Sequence, residues 1–205
     1  MSGKTYLYER QSEYWTSRQI EDFFLDKGFG VSTLPVPQNV ERFLPADFIF
    51  SFNPSVKLFG LQFKALYQNG EDHWPLYERQ HLQLQKYRWI YYCLSEMKDA
   101  SDHRAALHWC RFVDAGFPYQ EKLYLGGANR VRSYRKWAAF YTSLVSCHRG
   151  ELIQSKEHLK ELLMAGQDDP YLEGLSTVAA DIFLVDFERK QTIHYSPLLR
   201  RFDTQ

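Results

Sequence analysis

The stretch Pro45-Ala46-Asp47-Phe48-Ile49-Phe50-Ser51-Phe52-Asn53-Pro54-Ser55-Val56-Lys57-Leu58-Phe59-Gly60-Leu61-Gln62-Phe63-Lys64 decides the fold. Its first half is rich in aromatic and branched residues, which suit a pleated surface, so residues 46–52 are predicted to form a strand. Asn53-Pro54 supplies a turn, and residues 57–64 form a second apolar run, so the whole reads as a β-hairpin. Strand side chains alternate, which places Leu58, Gly60, Gln62 and Lys64 on one face of the second arm and Phe59, Leu61 and Phe63 on the other. Gln62 and Lys64 therefore point the same way.

Upstream, Thr16, Ile20, Phe23 and Phe24 recur at helical spacing, and Gly28 follows Lys27 where a left-handed C-cap residue belongs, so residues 9–27 are predicted to be a helix. Pro35, Pro37 and Pro45 then mark residues after Val31 as a loop crossing the fold. Downstream, residues 68–74 read as a polar loop. Residues 77–97 read as one long helix with Gln80, Gln83, Leu84, Tyr87, Tyr91 and Leu94 on one side. Residues 104–113 read as a strand, 133–147 and 156–164 as helices, 180–187 as a buried strand, and a short strand runs through Ile193. The expected architecture is α/β, a mixed central sheet flanked by helices, with a helical C-terminal half.

With 205 residues, 44% of them hydrophobic and 17% aromatic, the chain has material for one domain spanning 1–205, in which the motifs lie within 9–97 and residues 98–205 are an extension. Lys plus Arg and Asp plus Glu both number 25, so no global field steers it to nucleic acid and any such contact must be local. Cys93, Cys110 and Cys147 are far apart, an odd number with no CxxC pair, which argues against a structural zinc site or a disulfide framework. Seven histidines show no HxxxH-type spacing. The N-terminus lacks the apolar core of a signal peptide and no stretch approaches the ~20 apolar residues of a membrane helix, so a cytoplasmic, non-membrane protein is expected.

Pro45-Ala46-Asp47, a hairpin, and Gln62-Phe63-Lys64 together resemble the PD-(D/E)XK nuclease signature, in which an aspartate opens one strand and a (D/E)-x-K motif lies on the next. Gln83-Leu84-Gln85-Lys86-Tyr87 resembles the QxxxY helix of the RecB-type branch of that superfamily. The resemblance covers about the first half of the chain and implies a restriction-endonuclease-like core that hydrolyses phosphodiester bonds in DNA with Mg²⁺ or Mn²⁺. It implies catalytic roles for Asp47, Gln62 and Lys64, with Asp47 and Gln62 as metal ligands, and the helix face adds Glu13 as a further catalytic residue and metal ligand. A metal ion held by such groups lowers the pKa of a bound water and clamps phosphoryl oxygens, while a lysine neutralises developing charge.

The chain departs from the family at Gln62, which stands where an acid is usual. An amide oxygen coordinates magnesium without contributing charge, so a second carboxylate is needed. Glu13 is first choice because it lies near the centre of the apolar face of its helix, where an unpaired carboxylate is costly to bury. In related proteins the helix glutamate sits about one turn nearer the glycine, at Ser17 here, and Glu21 is the fallback. Arg130, Arg132, Arg135 and Lys136, with Tyr134 and Trp137 interleaved, form the densest basic cluster and a candidate phosphate contact alongside Gln83 and Tyr87.

Each residue also has a plain structural reading. Asp47 is then a strand-start cap, Lys64 an edge-strand lysine, Glu13 a solvated first-turn residue, Gln83 and Tyr87 a satisfied polar pair, and the basic cluster a solvated helix start. On those readings the chain is a catalytically inactive nuclease-fold module that binds a protein or nucleic-acid partner. A homodimer is a further possibility under either reading.

Overall fold

The computed structural model describes residues 7–41, 44–52, 57–68, 70–126, 133–154 and 156–164. The expected strands at 180–187 and around Ile193 lie outside these residues.

The first helix, α1, runs from Glu9 to Asp26 and buries Ser12, Thr16, Ile20 and Phe24. It ends as its sequence dictates: Gly28 takes φ +77°, and its N–H donates to the Leu25 carbonyl at 2.9 Å. Strand β1 (Val31–Pro35) and a helical turn α2 (Gln38–Glu41) follow. The prolines do not make this segment a loop. Pro35 is the last residue of an edge strand, a position that needs no ladder donor. The Pro37 carbonyl accepts the Val40 and Glu41 N–H groups that open α2.

The hairpin strands are β2 (Phe48–Phe52) and β3 (Lys57–Lys64), paired antiparallel with Phe50 opposite Phe59. Then come β4 (His73–Pro75), α3 (Glu78–Leu84) and β5 (Ile90–Ser95), which lies parallel to β3 with Lys64 opposite Leu94. A 3₁₀ turn at Ala100–Ala105 leads to β6 (Cys110–Asp114), antiparallel to β5. β7 (Lys122–Tyr124) pairs with β4 as a separate ribbon. The remaining described elements are α4 (Trp137–Val145), β8 (Glu151–Leu152) and α5 (Lys156–Leu163).

The protein is thus α/β, with a mixed sheet ordered β1-β2-β3-β5-β6 and β8 added beside the start of β3. The described part of the C-terminal half is not purely helical, since it supplies β6, β7 and β8. The long helix expected over 77–97 is two elements. All six residues of Ile90–Ser95 are buried, so this segment is apolar on every side, a pattern that periodicity alone does not assign to strand or helix. A parallel neighbour for β3 requires a crossover, and α3 provides it. The strand expected over 104–113 starts late, because Asp99 accepts the Ser101 N–H at 2.7 Å and caps a 3₁₀ turn there.

The alternation of β3 divides two cores. Leu58 joins Trp74, Leu84, Trp89, Ile90, Leu94 and Leu159 on one face. Phe59, Leu61 and Phe63 join Ile20, Phe24, Phe112, Trp137 and Phe140 on the other. Phe59 is completely buried, stacked on Phe50 at 4.9 Å and edge-on to Phe140 at 6.0 Å. Removing a fully packed ring leaves a cavity, so Phe59→Ala is expected to lower the unfolding free energy by about 3–5 kcal/mol in chemical denaturation. A loss below about 1 kcal/mol would show that this core is not close-packed.

Candidate active site

The end of the sheet where β3 stops and β2 begins gathers the charged side chains. Asp47 sits just before β2, its backbone tied on both sides: its N–H donates to the Leu61 carbonyl and its carbonyl accepts the Val36 N–H, each at 2.8 Å. Its carboxylate is nearly buried. Oδ2 accepts from the Gln62 Nε2 amide at 2.8 Å and from the Phe63 N–H at 2.5 Å. Asp47 therefore bonds across to the neighbouring strand and is not a cap for its own loop.

Gln62 is 1% exposed, and its Oε1 has no hydrogen-bond partner among the described residues. Two residues on, Lys64 is 3% exposed, with Nζ 3.6 Å from Glu9 Oε1 and 5.7 Å from the centre of the Tyr77 ring. The edge-strand reading of Lys64 fails, because β3 is interior, flanked by β2 and β5.

The first turns of α1 bring more carboxylates to this end. Glu9 Oε2 accepts the Ala65 N–H at 3.2 Å, which ties the start of the helix to the end of β3. One turn later Glu13 is half-buried. Burial first, and then repulsion from Glu9 and Glu41, pushes its carboxyl up to about 7, against a smaller downward pull from Lys64. Glu13 is thus not a solvated end residue. Burial likewise drives Asp47 well above the usual aspartate range; Glu13 and Glu41 reinforce this, while Lys64 and the Phe63 N–H oppose it. Burial also raises Glu41.

Tyr8, Glu9, Arg10, Glu13, Tyr14, Glu41, Asp47 and Phe48 are among the residues that line one cleft of about 890 Å³. Glu21 instead pairs with Arg18 at 3.3 Å and is not among the lining residues, so the fallback carboxylate drops out. Ser17 is buried in the helix face.

Two carboxylates were missed by sequence reading. Glu9 precedes Glu13 by four residues, a spacing that places both on one helix side, and that signal was available. Glu41 had no comparable signal, since it rides on a helical turn inside the proline-rich segment.

The outlying candidates stand differently. Gln83 is half-buried on α3, which ends at Leu84, and Tyr87 lies beyond it. Tyr87 is 2% exposed, packed edge-on to Trp89 at 6.0 Å, with its hydroxyl pushed up to about 12 by burial. The two do not share a helix, and like buried Gln62 and Lys64 neither lines the cleft. Arg130 and Arg132 fall outside the described residues. Arg135 is exposed, while Lys136 is engaged with Glu96 at 2.6 Å, a carboxylate that also takes Arg111 at 2.6 Å. Burial alone would raise Glu96, but the hydrogen bonds from Arg111 and Lys136 outweigh it and hold the group below its ordinary value. Lys136 is therefore a structural ion-pair partner and not a free phosphate contact.

Among the described residues no group of three or more His, Cys, Asp or Glu is gathered closely enough to hold a metal ion, and no helix is long and apolar enough to cross a membrane. No protein-family model, curated protein or solved structure matches the chain.

The raised Glu13 carboxyl has a definite consequence for pH. The folded state keeps this proton up to about pH 7 whereas the unfolded chain releases it near 4.5, so its contribution to stability is present at low pH and is lost as pH rises between those values. Glu13→Gln is expected to remove that part of the pH dependence and to raise Tm at pH 8 by roughly 2–4 °C, the shift that about 1 kcal/mol makes in a chain of this size. Parallel melting curves for wild type and variant from pH 4 to 8 would contradict the assignment.

Proposed function

We propose that this chain is a divalent-metal-dependent nuclease with a restriction-endonuclease-like core, acting on DNA through Asp47, Gln62, Lys64 and Glu13. The observation that carries this reading is the meeting of Asp47 and Gln62 at 2.8 Å, with buried Lys64 next on the same face of β3 and an acidic cleft in front. The order aspartate, hairpin, Gln-x-Lys becomes one locus in space, which supports this reading.

The donors suit a hard cation such as Mg²⁺ or Mn²⁺. Gln62 offers a buried oxygen without a partner, and Asp47 and Glu13 are carboxylates whose mutual repulsion and desolvation a positive charge would relieve. When bound, such an ion acidifies a water molecule and neutralises phosphoryl oxygens. The protein's own groups do the rest. The Gln62 amide and the Phe63 N–H fix Asp47 in place. Lys64 presents a charge with most of its water removed, where it opposes negative charge building on a phosphate more strongly than it would in bulk solvent. Glu13, raised by burial and by Glu9 and Glu41, is a carboxyl whose proton a bound cation would displace.

A second reading, a nuclease-fold module without catalysis, draws on two observations: Gln62 directs its NH₂ group at Asp47, and three carboxylate or imidazole ligands do not converge among the described residues.

Cleavage of plasmid and single-stranded DNA in Mg²⁺, Mn²⁺ and chelator separates the two. The nuclease reading expects metal-dependent cutting that falls roughly 10²–10³-fold or more in Asp47→Ala and Lys64→Ala, in line with losing a single electrostatic group from a catalytic site. Gln62→Glu adds a charged ligand and should lower the Mg²⁺ concentration for half-maximal rate. Silence in all four proteins, wild type included, assigns the chain to the binding module.

A further inference from the structure

Large apolar side chains scattered singly over a surface carry no message, so their distribution is what matters. Nine are exposed among the described residues, and five of these are tyrosines. Three of the five border the site: Tyr8 and Tyr14, 74% and 66% exposed, line the cleft, and Tyr77, 65% exposed, lies against Lys64. Among the described residues, neither Tyr8 nor Tyr14 packs its ring on another ring, although rings elsewhere in the molecule are extensively paired. Phe48, half-buried, adds an apolar wall beside them.

The charges around these rings point the other way from an ordinary nucleic-acid surface. The cleft lining holds four carboxylates, Glu9, Glu13, Glu41 and Asp47, against Arg10, while buried Lys64 reaches Glu9 from behind it. A phosphate backbone finds one lining cation here, Arg10, and no basic stripe, so the counterion release that drives non-specific duplex binding is small. Ring faces presented to solvent offer a different source of affinity, the stacking of bases, which every base provides and which a base already stacked inside a duplex does not.

We infer that the cleft takes a single-stranded DNA, with Tyr8, Tyr14 and Tyr77 as stacking platforms for unpaired bases and Arg10 as the phosphate contact in its lining. This specifies the substrate class of the nuclease proposed above and rests on that reading only for where the scissile phosphate lies. Duplex DNA is excluded from the rings because its base faces are occupied. Sequence preference is weak, because stacking reads no hydrogen-bond edges.

The test is fluorescence anisotropy of the full chain in Ca²⁺ with a labelled 12-nucleotide dT strand and a 12-base-pair duplex. The single strand is expected to bind at least tenfold more tightly than the duplex. One phosphate contact predicts a shallow salt slope of about −0.7 in log K against log salt. Tyr8→Ala, Tyr14→Ala and Tyr77→Ala are each expected to weaken binding roughly 5- to 150-fold, whereas Tyr14→Phe, which keeps the ring, binds as wild type. These residues are exposed, and circular dichroism verifies that each variant is folded.

Equal affinity for duplex, or alanine variants that are folded and bind as tightly as wild type, overturns the inference. The outcome is independent of cleavage. Ring-dependent binding by a chain that cuts no DNA in any metal refutes the nuclease and supports the stacking cleft; metal-dependent cutting without ring dependence does the reverse.

Discussion

Two donors on one strand hold a carboxylate that water hardly reaches. The Phe63 N–H and the Gln62 amide both end on Asp47 Oδ2, and on this pair of bonds the arrangement of the charged end of the sheet depends. An aspartate so deeply buried is costly unless its oxygens are hydrogen-bonded. The position of Asp47 fixes where β2 starts relative to β3, and the two backbone bonds from Asp47 to Leu61 and Val36 carry that register to the edge strand. A register slip of one residue would turn Gln62 and Lys64 into the aromatic core and bring Phe63 out to meet the carboxylate, so the polar contact and the apolar pattern specify the same pairing.

Burial at this locus also explains why its electrostatics are unbalanced. Four carboxylates share a cleft with few cations, and those for which burial dominates are driven toward their neutral forms at pH values where ordinary acids are ionised. Structural ion pairs in this protein look different. Glu96, between Arg111 and Lys136, is fully compensated and sits below its ordinary value. One molecule thus holds both a compensated acid and a group of uncompensated ones, in which burial outweighs the opposing contacts.

Much of this was legible in the residues. The strand faces of the hairpin followed from alternation, and α1 followed from its period and from Gly28. Grouping Asp47 with Gln62 and Lys64 required only that the hairpin pair in register. What resisted reading was whatever depended on partners distant in sequence. Ile90–Ser95 is buried on both sides, so it carries no periodic signature and merged with the helix before it. Pro35 looked like a strand breaker because nothing local reveals that its strand lies at an edge. Lys136, conspicuous in a basic run, is neutralised by Glu96 forty residues earlier, a pairing that local composition does not contain.

The way β3 shares its second flank has a bearing on how the chain is made. Gly60 to Lys64 pair with β5, but Lys57 and Leu58 pair with β8, which leaves the ribosome roughly ninety residues later. At about 5–20 residues per second, the first part of the innermost strand waits on the order of 5–20 s for its neighbour. During that interval two residues of open backbone sit beside an aromatic-rich hairpin, a combination that invites pairing with another nascent chain. The Lys57 ammonium, which in the finished protein donates to the Leu144 carbonyl at 2.5 Å, has no such acceptor until α4 emerges. A charge at the open end of a strand discourages foreign strands from joining it, and in the finished protein the same side chain fastens the strand to α4.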